Sequence, residues 1–188
     1  QAGWFADEIT PVTIKPRKQT IEVTQDEAIR PETTLAAMAR LRPVFQATGT
    51  VTAANASGIN DGASALIVMT KEKAVSMGIV YQATLGAYQE VGIDPDYMGV
   101  SPVTAIEQLL AKTQQTTADI DLFEINEAFA ASSVAVQQAL ALAPEKVNVA
   151  GGAVALGHPI GASGARIVTT LINQLKRTQQ TTGIAALC

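Results

Sequence analysis

The reading of the chain turns on residues 147–175, VNVAGGAVALGHPIGASGARIVTTLINQL. A short β-branched run (Val147, Val149) leads into glycines at 151, 152, 157, 161 and 164. Ile167, Val168, Leu171, Ile172 and Leu175 then recur with helical spacing, so the stretch predicts a strand, a glycine-rich loop and a helix. His158, the single histidine of the chain, sits in the loop between Gly157 and Pro159. Glycines allow close backbone approach to a ligand, and the following helix start offers free N–H groups. A histidine held there can take or give a proton near neutral pH. No Lys-Ser or Lys-Thr follows the last glycine, so this is not a phosphate loop. The tight Gly-x-Gly pair of a dinucleotide site is missing as well.

Outward from this stretch, strands and helices alternate. Ala83–Glu90 reads as a strand, and Ser101-Pro102 as cap and first residue of a helix running to Lys112. Leu122–Ile125 follows as a strand, 127–140 as a helix, Val147–Val149 as a strand and Ile184–Leu187 as a last strand. This pattern predicts an α/β fold, βαβ layers with helices packed on a mostly parallel mixed sheet. Upstream, residues 1–30 read as loop and edge strand, with alternation at Val12–Ile14 and Ile21–Val23. Pro31–Leu41 reads as a short helix capped by Thr33 or Thr34, Ala65–Met69 as a buried strand, and Lys71–Met77 as a helix stopped by Gly78. The small-residue stretch 48–63, TGTVTAANASGINDGA, is either a solvated loop or a surface shaped to a ligand.

Composition narrows the function. The chain has 188 residues, 47% apolar and 16% charged, with net charge −4 and no basic run, which argues against nucleic acid or anionic membrane as partner. No apolar run reaches membrane-span length, and no signal peptide is visible. One cysteine suits a reducing compartment, so a cytoplasmic protein is expected. The chain starts at Gln1 and ends at Cys188 directly after an apolar run, which reads as a piece of a longer protein.

Ligands of open α/β sheets bind beyond the carboxyl ends of the strands. Three capable side chains fall there: Asn126 after LFEI, His158 after VNV and Cys188 after IAAL. Singly, Asn126 also fits a helix cap, and Cys188 a small buried apolar residue. Together they suggest a thiol, an imidazole and an amide for acyl transfer or carbanion formation beside a carbonyl. The order Asn, His, Cys differs from that of papain-like proteases. One histidine and one cysteine thirty residues apart make no metal site, so no metal is expected.

NEAFA at 126–130, GGAVALGHPIGASGAR at 151–166 and GIAALC at 183–188 resemble the thiolase family. So do RPVF at 42–45, GTVTAANASGINDGASAL at 49–66 and MGVSPVTA at 98–105, in order and over nearly the whole chain. Within the family the resemblance is to acetyl-CoA acetyltransferases. It implies a thiolase-like fold in which residues 1–59 end the CoA-covering loop domain. Residues 60–80 would be a strand and helix of the N-terminal domain, and 81–188 the C-terminal domain without its final strand. It implies reversible condensation of two acetyl-CoA to acetoacetyl-CoA and CoA, with CoA thioesters as substrates and no further cofactor. His158 would activate a nucleophilic cysteine and donate to an oxyanion, Asn126 would hold the water completing that oxyanion hole, and Cys188 would move the α-proton. Ser57 and Ala53 would meet the pantetheine arm, Met98 and Phe129 would wall the acyl group, and Arg30 is a candidate for the nucleotide end of CoA. The nucleophilic cysteine and the missing N-terminal half lie outside this sequence, so the chain alone is expected to be inactive, and the intact protein to be a homodimer or homotetramer. Two alternatives remain open: a 3-ketoacyl-CoA thiolase of fatty-acid breakdown, and a non-catalytic thiolase-like CoA- or lipid-binding protein. A β-ketoacyl synthase is expected to use two histidines. An unrelated nucleotide-binding module is opposed by the missing lysine.

Overall fold

The computed structural model describes residues 2–16 and 19–188; Gln1, Arg17 and Lys18, within the stretch read as loop and edge strand, lie outside it. The elements that carry the site run from residue 101 to the end. They are α3 (Ser101–Thr113), β3 (Leu122–Ile125), α4 (Ala130–Ala139), α5 (Ala153–Leu156), α6 (Ile160–Thr178) and β4 (Gly183–Ala186). Before them come a small antiparallel hairpin, β1 (Val12–Ile14) with β2 (Ile21–Val23), and the short helices α1 (Leu35–Met38) and α2 (Lys71–Ser76).

β3 and β4 are parallel, with Leu122 opposite Gly183 and Ile125 opposite Ala186. The Asp121 carboxylate pins this register by accepting the Thr181 and Thr182 N–H groups at 3.0 and 2.9 Å. All four β3 residues are buried, as a central strand requires. Phe123 and Ile125 join Ile184 and Ala186 against Ile106 and Leu110 of α3 and Val136 and Leu140 of α4. The opposite face of the sheet lies against α6, where Leu171 is so near Gly183 that an added Cβ would be 2.6 Å from it. The sheet is thus covered on both faces, giving the three-layer α/β arrangement expected from the alternation of elements.

Several sequence expectations need correction. Ala65–Met69 is not a buried strand; Ile67 and Val68 are 90% and 68% exposed. Ala83–Glu90 also makes no ladder, and Leu85 and Tyr88 are exposed. Apolar β-branched composition favours a strand only where a neighbouring strand supplies hydrogen bonds, and neither run pairs with one among the described residues. Residues 82–89 are tethered to α3 by side chains instead: Lys112 Nζ donates to the Tyr88 carbonyl at 3.0 Å. An open groove of about 790 Å³ separates them from β4, walled by Leu109, Leu171 and Leu175. Val147–Val149 contributes a single parallel bridge, Val147 to Phe123, because Asn148 turns to φ +46°. The helix expected from Pro31 shortens to four residues behind Thr34, whose hydroxyl accepts the Ala37 N–H. That expected over 127–140 begins at Ala130, and Val100, not Ser101, precedes the first turn of α3.

Candidate active site

Asn126 leaves the carboxyl end of β3, and its backbone N–H continues the ladder by donating to the Ala186 carbonyl at 2.9 Å. Leu187 and Cys188 leave the same end of β4; beyond the Ile125–Ala186 pair, Leu187 follows beside Asn126 and Cys188 is the next residue. The Asn126 side chain turns to the glycine-rich loop, where its Nδ2 lies 3.2 Å from His158 Nε2. It is not the cap of α4; Phe129 holds that position. Asn126 is 4% exposed, and its Oδ1 has no hydrogen-bond partner. A buried amide oxygen without a partner marks a place where a water or ligand atom would be stabilised.

His158 is held on three sides. Its backbone N–H donates to the Gly58 carbonyl at 2.9 Å. Its Nδ1 lies 2.6 Å from Ser163 Oγ, in the first turn of α6. Gly157, at φ +95°, brings the chain round into this position. Burial, and then the positive charge of Arg166, hold the imidazole below its ordinary pKa, so it rests neutral at pH 7 with a lone pair available.

The 48–63 stretch is a shaped surface. Ala56 forms an antiparallel bridge with Phe129, and the Ala130 N–H donates to the Asn55 carbonyl at 2.8 Å. Ser57 donates to the Ala128 carbonyl through both its N–H and its hydroxyl, at 3.0 and 2.9 Å. Three separate sequence blocks, around Ser57, Asn126 and His158, therefore meet on one edge of the sheet. Phe129 stacks edge-on against Phe45 at 5.9 Å. Ala53 is exposed in the same loop as Ser57. Met98, 59% exposed, lies on a 3-10 turn, Pro95–Val100, which packs beside α4 through Gly99 and Ser132. Cys188 is an exposed free thiol rather than a buried one, with no hydrogen bond to Asn126 or His158. Arg30 is exposed in the loop before α1 and its side chain hydrogen-bonds to none of the described residues; the structure does not bring it to His158.

Beneath the site lies a polar layer that sequence reasoning missed. Glu127 accepts from Asn148 Nδ2 at 3.1 Å and from the Val154 N–H at 3.2 Å, tying β3 to α5. Glu124, 2% exposed on the α6 face of β3, has Arg166 Nη1 3.8 Å away. Burial pushes its carboxyl up to about 8, against the pull of Arg166. The signal for this pair was a glutamate inside the buried run LFEI, which demands a partner. The signal for Ser163 was weaker: a small polar residue one turn into the helix after the histidine.

The residues matched by the family model "Thiolase, C-terminal domain" are 79–188, and "Thiolase, N-terminal domain" matches 1–72. The chain belongs to the thiolase family. Over its full length it is 51% identical to "Probable acetyl-CoA acyltransferase" of Staphylococcus aureus (strain NCTC 8325 / PS 47), covering 48% of that protein. Among solved structures it matches the Bacillus anthracis acetyl-CoA acetyltransferase with TM-score 0.97 and 47% identity, over 100% of this chain and 48% of that one. It matches human mitochondrial 3-ketoacyl-CoA thiolase with TM-score 0.92 and 39% identity, again over the full chain and 47% of the other. The same human enzyme in complex with CoA matches with TM-score 0.89, at 40% identity, over the full chain and 46% of that one. The thiolase chain described here spans about half the length of the relatives it matches.

Proposed function

We propose that this chain supplies one half of the active site of an acetyl-CoA C-acetyltransferase, which reversibly condenses two acetyl-CoA to acetoacetyl-CoA and CoA. The observation that carries the reading is the Asn126–His158 pair at the carboxyl end of β3, with Cys188 leaving the neighbouring strand. In this reading the neutral His158 takes the proton of a nucleophilic cysteine outside these residues, and that thiolate attacks the first acetyl-CoA and expels the CoA sulfur, which takes the proton of the Cys188 thiol and departs as CoA. Cys188, left as a thiolate by that transfer, removes the α-proton of the second acetyl-CoA. The resulting carbanion attacks the enzyme thioester and expels the cysteine sulfur, giving acetoacetyl-CoA. Imidazolium N–H and a water on Asn126 stabilise the oxyanion. The unpartnered Asn126 Oδ1 supports the place given to that water.

Ser57 and Ala53 lie on the surface we assign to the pantetheine arm, with Met98 and Phe129 assigned to the acyl wall. The CoA complex of the human relative supports CoA binding by the family. Arg30, exposed in the loop before α1, is our candidate for the nucleotide end of CoA. Residues 1–59 belong in this reading to the loop domain, 60–80 to the N-terminal domain and 81–188 to the C-terminal domain. The chain alone is inactive because it holds no nucleophilic cysteine besides Cys188, and the intact protein is a homodimer or homotetramer in the cytoplasm. A second reading, a 3-ketoacyl-CoA thiolase, is favoured by the human relative.

The test is thiolysis of acetoacetyl-CoA and of a longer 3-ketoacyl-CoA by the protein isolated from its source at its natural length. Turnover that His158→Ala abolishes, with acetoacetyl-CoA preferred, is expected. Preference for the longer substrate moves the assignment to the second reading. CoA binding without turnover leaves a binding protein and overturns the catalytic one.

A further inference from the structure

We propose that Ser163 is a positioning residue for His158: its hydroxyl holds the ring in the Nδ1–H tautomer and so turns the lone pair of Nε2 to the Asn126 side of the site. This deepens the catalytic reading given above, although the tautomer itself stands on geometry alone. Ser163 is 1% exposed and projects from the first turn of α6, so its hydroxyl has few partners to choose from. It has two within reach, His158 Nδ1 at 2.6 Å and the Pro159 carbonyl at 3.1 Å. The carbonyl can only accept, so a hydroxyl proton given to it leaves the Ser163 lone pair facing Nδ1, which must then carry the proton.

The other side of the ring favours the same assignment. With Nε2 unprotonated, Asn126 donates to it through Nδ2 and leaves only Oδ1 without a partner. With Nε2 protonated, Asn126 would turn its oxygen to the ring and carry its Nδ2 protons into the buried position instead. Orphaned buried N–H groups are rarer than under-satisfied carbonyls. One chain of donors therefore runs from His158 Nδ1 through Ser163 to the backbone at Pro159, while Asn126 meets the opposite nitrogen.

In the natural-length protein labelled with ¹⁵N-histidine, the ring nitrogens of His158 are the signals in long-range ¹H–¹⁵N correlation spectra that His158→Gln removes. In the unaltered chain the protonated nitrogen of the neutral ring is expected to be Nδ1. Ser163→Ala is expected to lower the Nδ1–H to Nε2–H ratio roughly fivefold or more, the scale of losing one hydrogen bond. Ser163→Thr, which keeps the hydroxyl, is expected to restore it. A neutral ring protonated at Nε2 in the unaltered chain overturns the proposal, even if Ser163→Ala does not fold. So does an unchanged ratio in a folded Ser163→Ala. Neither result depends on thiolysis, so failure of the catalytic reading is recognised separately, by its own assay.

Discussion

Asn148 pairs with Ile125 as a strand residue would, but with its side chain: Oδ1 accepts the Ile125 N–H and Nδ2 donates to the Ile125 carbonyl, both at 2.8 Å. The backbone at Asn148 meanwhile turns to φ +46° and leaves the sheet toward the glycine loop. One amide thus finishes the edge of β3 just before Asn126 and releases the chain that carries His158. Asn148→Ala loses both of these bonds and the one from Nδ2 to Glu127, leaves two buried backbone groups of Ile125 unpaired and puts a Cβ residue without a local hydrogen bond in the left-handed region. It is expected to destabilise the fold by about 2–4 kcal/mol in chemical denaturation. Asn148→Gly removes the same bonds but tolerates the backbone, so it is expected to cost roughly 1 kcal/mol less. Equal losses for the two variants would show that the turn at 148 carries no backbone cost.

Gly157 and Asn60 are in close approach, and a Cβ at 157 would overlap the Asn60 side chain. Gly157 also sits at φ +95°, which side chains other than glycine rarely adopt. Gly157→Ala therefore faces two separate penalties. The backbone part alone is roughly 1–3 kcal/mol. Combining it with Asn60→Ala is expected to recover the steric part and leave the backbone part. A double-mutant cycle by denaturation measures the coupling, and strict additivity would show that the two residues do not oppose each other.

These two sites mark how far the sequence could be read. The layered α/β fold, β3, β4, α6 and the meeting of Asn126 with His158 were legible, because strand and helix periodicities and the glycine–histidine block are local signals. The strands expected at 65–69 and 83–90 were not real, since composition cannot say whether a partner strand is present. The end of the 147–149 run was hidden because a side chain, not the backbone, completes the ladder there. Ser163 and the Glu124–Arg166 pair left only a faint signal for a related reason: their roles depend on which faces of β3 and α6 meet, and that is set by packing. Arg30, chosen by resemblance, is exposed in the loop before α1, and no local signal in the sequence bears on it.

Cys188 lies beyond the ladder with its thiol exposed, while Asn126 and His158 are bonded to each other. Its alkylation is therefore expected to proceed in the folded chain, with one equivalent taken up without denaturant. The His158 ring signals should stay unmoved, because no hydrogen bond joins the two residues. In the natural-length protein the same adduct is expected to stop thiolysis, since in the proposed reaction Cys188 returns the α-proton to the departing acetyl-CoA carbanion. A large shift of the His158 signals on alkylation would instead place the thiol in contact with the ring.

Glu124 gives the chain a pH dependence of known sign. Burial raises its carboxyl from the ordinary value near 4.5 to about 8, so the folded state holds a proton that the unfolded state has released over this range. Stability contributed by the neutral form is complete below about 4.5 and declines as pH rises through about 8. Glu8, also raised by burial, adds to this slope, whereas His158, lowered by burial and by Arg166, works against it by favouring folding as pH rises. Glu124→Gln stays neutral at every pH and keeps the shape of the side chain. It is expected to flatten the fall in Tm between pH 5 and 8.5. Each kcal/mol of altered linkage moves Tm by about 2–4 °C in a domain of this size. Differential scanning fluorimetry of the two proteins across that range makes the comparison. Parallel profiles would mean that Arg166 keeps Glu124 ionised throughout, and that the pair is a true buried ion pair rather than a neutral acid beside a guanidinium.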